Sequence, residues 1–167
     1  MNQASSDLQH TSRRRLATSL AGLAAVLALV AGCACSAAPP PVHTDPSVAV
    51  IRHVLVNDNT FGTNRNPFSR VVVSPQRTNG TQLSAATKAA ITTQLRDLGD
   101  VKVSTAKVSA GQAGIRLGSV VPTSKGVNIK VDMYCGNVCG LQATYKLVKG
   151  PNGGWAVTGT TEPVAVS

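Results

Sequence analysis

The chain has 167 residues, of which 43% are apolar and 14% charged, and it carries a formal net charge of +9. This length holds one domain plus tails, which excludes a large multidomain enzyme, and the lack of internal repeats excludes a solenoid. The apolar fraction excludes a wholly disordered chain, which would lack the hydrophobic surface to offset its ordering entropy.

Residues 1–12 are polar and aperiodic; Arg13, Arg14 and Arg15 then lead into Leu16–Ala31, a run without a single charge. A basic stretch followed by an apolar run is the layout of a secretory signal peptide. The run is shorter than the roughly 20 apolar residues that a membrane-spanning helix needs. It closes on Val30-Ala31-Gly32-Cys33, which resembles the bacterial lipobox, whose small residues enter a peptidase groove and whose cysteine thiolate is alkylated. The expectation is a signal peptide over residues 1–32 and a lipid on Cys33, holding the mature protein on the extracytoplasmic face of a bacterial cell membrane. Cys35 is a poor alternative acceptor, because Gly32 would then occupy the bulky aliphatic position of the box. Ser12-Arg13-Arg14-Arg15-Leu16 suits a plain basic or a twin-arginine signal equally well, so the export route stays open.

Residues 33–45 are small and proline-rich, with Pro39, Pro40 and Pro41 in succession, and read as an extended tether in which His43 is solvated. Cleavage before Cys33 leaves 13 basic and 6 acidic residues, so the positive balance belongs to the body and not only to the signal. The folded domain is expected over 46–167. Twenty Val against seven Leu after the cleavage point favour a core dominated by a sheet, since β-branched side chains suit a pleated, half-buried surface.

Thr44 or Asp45 can cap a first helix with Pro46 at its opening position, and Val48, Ile51, Val54 and Leu55 then share one face, with His53 pointing elsewhere. A polar loop follows from Asn57 to Asn66, and a strand over 69–74. Ser84 caps a second helix with Ile91, Leu95 and Leu98 on one face and Gly99 as its left-handed cap. Residues 101–106 form another short strand. From Val127 onward the odd positions are apolar, and a three-residue loop would pair Cys135 with Cys139, Met133 with Leu141, Val131 with Ala143, Ile129 with Tyr145 and Val127 with Leu147. Five-residue loops on either side extend the pattern, pairing Lys149 with Trp155 and Leu147 with Val157, and Val121 with Val127 and Leu117 with Val131. The fold class is α+β: an antiparallel meander sheet with two helices covering one face.

Few residues suggest chemistry. Cys135 and Cys139 share the parity of the buried face at a hairpin tip, and an exported chain meets oxidising conditions, so a structural disulfide is expected. Redox use is disfavoured by three intervening residues and no helix dipole, and metal binding by the absence of nearby nitrogen or sulfur ligands. No cofactor or metal is expected, and neither is nucleic acid, because the basic residues are dispersed from Arg52 to Lys149. His53 is the only histidine of the folded body and Asp58 lies five residues beyond it, but no nucleophile elbow accompanies them. The loop from Asp58 to Phe68 carries two phenylalanines in polar surroundings. They either fold back as plugs over the sheet edge or anchor a recognition surface, which makes Asp58, Phe61 and Phe68 the candidate binding residues.

Asp58-Asn59-Thr60-Phe61-Gly62, Pro67-Phe68, Tyr134-Cys135-Gly136, Cys139-Gly140 and Gly154-Trp155-Ala156-Val157-Thr158-Gly159-Thr160-Thr161 together resemble a family of uncharacterised exported and lipoprotein-like actinobacterial proteins. The resemblance spans roughly residues 45–167. It implies an extracytoplasmic compartment and a disulfide-bonded domain, and it carries no activity. The expected function is therefore a non-catalytic domain, anchored to the membrane through its lipid, that binds a protein or envelope partner. The alternatives are a hydrolytic or transfer enzyme with a site around His53 and Asp58, and an accessory subunit of a membrane complex.

Overall fold

A computed structural model describes residues 42–136, 139–162 and 164–166; the signal segment, Cys33, Cys35 and most of the tether lie outside them. The elements in chain order are α1 (Pro46–Val56), β1 (Arg70–Val73), α2 (Ala85–Gln94), a 3-10 turn (Arg96–Leu98), β2 (Val101–Val103), β3 (Gln112–Pro122), β4 (Val127–Tyr134), β5 (Gly140–Lys149), β6 (Trp155–Thr160) and β7 (Ala165–Val166). Strand order in the sheet is β2-β1-β3-β4-β5-β6, with β7 pairing on β5. The fold is α+β.

Both helices start as their sequences dictate. Asp45 accepts the Ser47 N–H at 2.7 Å and precedes Pro46, whose missing N–H is one a helix start leaves unused. The other oxygen of Asp45 accepts the Thr87 hydroxyl at 2.9 Å, so this cap also ties α1 to α2. Ser84 caps α2 by accepting from Thr87 N–H at 3.0 Å. Val48, Ile51, Val54 and Leu55 are fully buried, as is Val50 on a second face, because α1 is covered by the sheet and by α2. The end of α2 departs from expectation. Its α-helical turn stops at Gln94, and Gly99 (φ +102°, ψ −145°) ends the 3-10 turn instead, outside the left-handed helical region.

The β4–β5 register is the one that alternation predicts: Met133 opposite Leu141, Val131 opposite Ala143, Ile129 opposite Tyr145, Val127 opposite Leu147. Leu147–Val157 and Lys149–Trp155 also pair as expected. Burial follows parity, with Ile115, Leu117, Ile129, Val131, Met133, Tyr145 and Leu147 in the core beneath the helices. Cys135 and Cys139 stand at disulfide-bonding distance with Cα atoms 5.3 Å apart, and Cys135 is buried in the same core.

Two expectations about the sheet need correction. It is a meander only over β3–β6; β1 runs parallel to both β2 and β3. The reason is α2, which carries the chain from β1 back over the sheet to start β2 in the same direction. Val72 is accordingly almost fully buried beside Val71 and Val73, so β1 is a continuous apolar run without alternation. The second correction concerns the β3–β4 hairpin. Leu117 faces Val131, but a bulge follows, and Val120, Val121 and Pro122 face Ile129, Asn128 and Val127. Val121 is thereby turned out to solvent, about half exposed. Gly118 sits at the bulge with so little room that an added Cβ would lie 2.9 Å from that of Lys130, which is the close approach a strand glycine permits.

His43 also differs from expectation. It is 7% exposed, and its carbonyl accepts the Trp155 N–H at 2.8 Å, so the residues just before α1 belong to the body and not to a solvated tether.

Candidate functional site

The last turn of α1 and the loop after it bring together several of the polar residues that the sequence marks as candidates. Asn57 caps α1 and its side-chain amide donates to His53 Nδ1 at 3.1 Å, which places the proton of a neutral imidazole on Nε2. That nitrogen lies 3.4 Å from Asp58 Oδ2. The same carboxylate oxygen accepts the Tyr145 hydroxyl at 2.9 Å, across 87 residues of chain. The His53 ring stands edge-on to Tyr145 with centroids 5.6 Å apart. Burial, and then the hydrogen bond to Asp58, push the Tyr145 phenol well above its ordinary range, so it remains a donor. The Tyr145–Asp58 hydrogen bond and the contact of His53 with the same carboxylate therefore link the surface to the sheet.

Beyond Asp58 the loop is organised by a residue to which its sequence had given no role. Asn59 is buried, and its amide nitrogen lies 3.0 Å from Leu55 O and 2.7 Å from Thr63 O, while its oxygen accepts from the Thr63 N–H at 3.3 Å. A short polar side chain that bonds nearby backbone takes over the pairing that a helix or ladder would supply. Gly62, at φ +64°, closes the turn by donating to Asn59 O. Asn66 fastens the far end: its amide donates to Leu98 O at 2.8 Å and its oxygen accepts the Phe68 N–H at 3.1 Å. The only advance signal was the number of asparagines in a loop that carries apolar residues.

The two phenylalanines separate. Phe68 is 8% exposed and belongs to the core, as a plug; Phe61 is 55% exposed and meets Phe68 edge-on at 5.7 Å. Asp58, Phe61 and Phe68 thus lie on one loop with three distinct roles: a tie to the sheet, an exposed ring and the buried ring that supports it.

A cleft of about 400 Å3 opens beside His53, between α1 and the β5–β6 turn. Arg52 lines it, with one guanidinium nitrogen bound to Asp97 and to Gln94 O. That hydrogen bond holds the Asp97 carboxyl below its usual range. Among the described residues lining the cleft there is no serine, threonine or cysteine, and Asp58 is not part of its wall. The structure thus brings His53 and Asp58 together but gives them a buried tyrosine as third partner rather than a nucleophile. Among the described residues, no three His, Cys, Asp or Glu side chains group as a metal site, and no helix is long and apolar enough to cross a membrane.

Comparison with protein-family models, curated proteins and solved structures gives no match to this chain.

Proposed function

We propose that the chain is a lipid-anchored binding protein of the bacterial cell envelope, held through Cys33 and engaging a protein or envelope partner through the loop Asn57–Phe68. The observation that carries this reading is Phe61, a large apolar ring left 55% exposed on a loop whose backbone is fixed from within by Asn59 and Asn66. Aromatic anchors supply a large share of interface energy when they fill a partner's pocket. A loop already held in one conformation loses little further freedom on binding. The basic, apolar and lipobox segments, and the resemblance to exported actinobacterial proteins, support the compartment. An accessory subunit of a membrane complex would use the same surface.

The test is a photo-crosslinking amino acid placed at position 61 in cells, with position 125 on the β3–β4 turn as control. A discrete adduct from position 61, absent from position 125 and lost in a Cys33→Ala protein that no longer fractionates with membranes, is the expected result. Equal patterns from both positions would refute the loop as the contact.

The His53–Asp58–Tyr145 group favours a second reading, a hydrolytic or transfer enzyme in which His53 moves a proton at the cleft wall. Turnover abolished by His53→Ala and by Asp58→Asn would establish it over the first.

A further inference from the structure

The two ends of the sheet differ in what they expose. Val127 pairs with Leu147, which puts the β3–β4 turn (123–126) and the β5–β6 turn (150–154) at one end. The chain enters the domain at that same end. Val42 stands against Gly154, where an added Cβ would meet its Cγ1 at 2.8 Å, and the His43 carbonyl accepts the Trp155 N–H. Gln112 pairs with Arg70 and Gly114 with Tyr134, so the close of the Asn57–Phe68 loop and the Cys135–Cys139 hairpin share the opposite end. The eight residues of β4 set the two ends roughly 25 Å apart. Charge follows the same division. Lys125, Lys146 and Lys149 are exposed toward the entry end and make no ion pair among the described residues. Asp100 and Asp132 pair with Arg70, Lys102 and Lys130 farther along the sheet. Asp45 has both carboxylate oxygens engaged at the helix starts, by the Ser47 N–H and the Thr87 hydroxyl. Lys125 and Lys146 flank one groove of about 270 Å3, with Ser124, Asn128, Val127 and Val148 in its wall. Val42 and Val121 are about half exposed at this end, the latter turned out by the bulge at Gly118.

We propose that the entry end of the domain docks on the anionic phospholipid surface of the membrane, with Lys125, Lys146 and Lys149 against the phosphate headgroups and Val42 and Val121 at the interface. The inference rests on the reading of Cys33 as the lipidated residue. Eight residues separate Cys33 from Val42, a reach of at most about 30 Å, so the entry end is kept near the headgroups and its lysines act at a high local concentration. A lysine alone is drawn weakly to an anionic leaflet, and a lipid chain joined to a basic patch attaches more firmly than either. Apolar side chains among lysines suit an interface, where the stems lie on the apolar layer and the ammonium groups reach water and phosphate. Docked in this way, the domain turns the Phe61 loop and the disulfide hairpin away from the bilayer, toward a partner in the envelope.

Trp155 is the only tryptophan of the chain and lies at the entry end, so its emission reports how near that end is to the bilayer. The protein purified from cell membranes is reconstituted in vesicles of phosphatidylcholine and of an equimolar mixture with phosphatidylglycerol, each with a headgroup spin-labelled lipid that quenches nearby emission. Quenching should be about twofold or more stronger in the anionic vesicles, and that excess should vanish at about 1 M salt, where the screening length falls to about 3 Å. Lys125→Gln, Lys146→Gln and Lys149→Gln together should return it to the neutral-vesicle level, with thermal melting as the check on folding. Arg96→Gln, Lys102→Gln and Arg116→Gln remove the same charge elsewhere and should leave it unchanged. Moving the tryptophan to the loop, by Trp155→Phe with Phe61→Trp, should give little quenching in either vesicle. If the triple lysine variant unfolds, the contrast between compositions and the moved tryptophan decide. Intact mass reads the anchor separately: a diacylglyceryl group on Cys33 is expected, and an unmodified cysteine refutes the anchor reading and this inference with it. If Cys33 is lipidated but Trp155 is quenched equally in both compositions, ignores the loss of the three lysines, or is quenched less than the tryptophan at position 61, only the docking is overturned.

Discussion

Tyr145→Phe is the substitution that most directly probes how the loop from Asp58 to Phe68 is held. The ring is fully buried, and phenylalanine preserves its volume and its edge-on contact with His53, so the change is confined to one hydroxyl. That hydroxyl donates at 2.9 Å to a carboxylate. Hydrogen bonds to charged groups contribute about 1.5–3 kcal/mol. The Asp58 side chain is 29% exposed, so water can reach the freed oxygen and the cost belongs at the lower end, about 1.5 kcal/mol. For a domain of this size that corresponds to a fall in melting temperature of about 4–7 °C. Urea unfolding of the wild type, Tyr145→Phe, Asp58→Ala and the double variant completes a cycle whose coupling energy should be about 1 kcal/mol or more. Hydrogen exchange should also quicken at Asn59–Thr63, because the loop loses its tie to β5. A Tyr145→Phe protein within about 0.5 kcal/mol of the wild type, or a coupling near zero, would refute the reasoning, since surface changes alone fall in that range.

Three further outcomes follow from the same structure. Phe68→Ala should cost about 3–5 kcal/mol in a denaturant melt, as buried phenylalanines do, whereas the exposed Phe61→Ala should cost below about 1 kcal/mol. Asn59→Ala strips several backbone groups of their partner and should destabilise by about 2–3 kcal/mol while opening the loop to limited proteolysis between Thr60 and Arg65. His43 has a folded pKa below its ordinary 6.5, so the unfolded chain takes up the proton first; stability should decline as pH falls from about 6.5 toward the folded value, and a melt series with His43→Phe should lose that slope.

The sheet was legible where its two faces differ in polarity. From Val127 to Val157 apolar residues alternate with polar ones, and a one-residue slip would have moved every one of them into solvent, so spacing alone defined the register. It failed at Gly118 because a bulge breaks the period of two, and the glycine that permits it leaves no apolar mark in the pattern. The parallel placement of β1 was also missed, although a strand, a helix and a strand in succession already imply a crossover. At the site, His53 and Asp58 stand only five residues apart in sequence and could be named together. Tyr145 lies 87 residues from Asp58 and looked like any core aromatic, and Asn59 matters through bonds to its own backbone that composition does not reveal. The prolines before His43 read as a tether, whereas the backbone bond from Trp155 to its carbonyl ties it into the body.

The parallel attachment of β1 sets the order of synthesis against the order of assembly. α1 and β1 leave the ribosome first, yet the surfaces that bury Val48, Ile51, Val54 and Val71 lie on α2 and on β3–β6, tens of residues later. The β3–β6 meander is built from neighbouring strands and can close early, because local pairings need little loop closure. The N-terminal helix and strand then dock on a sheet that is already present. Until the hairpin through Trp155 is complete, α1 lacks the part of its cover that β6 supplies, so a chain that stops short of β6 leaves part of the helix's apolar surface open to aggregation. The last strands thus act as the gate through which the first helix becomes part of a folded protein.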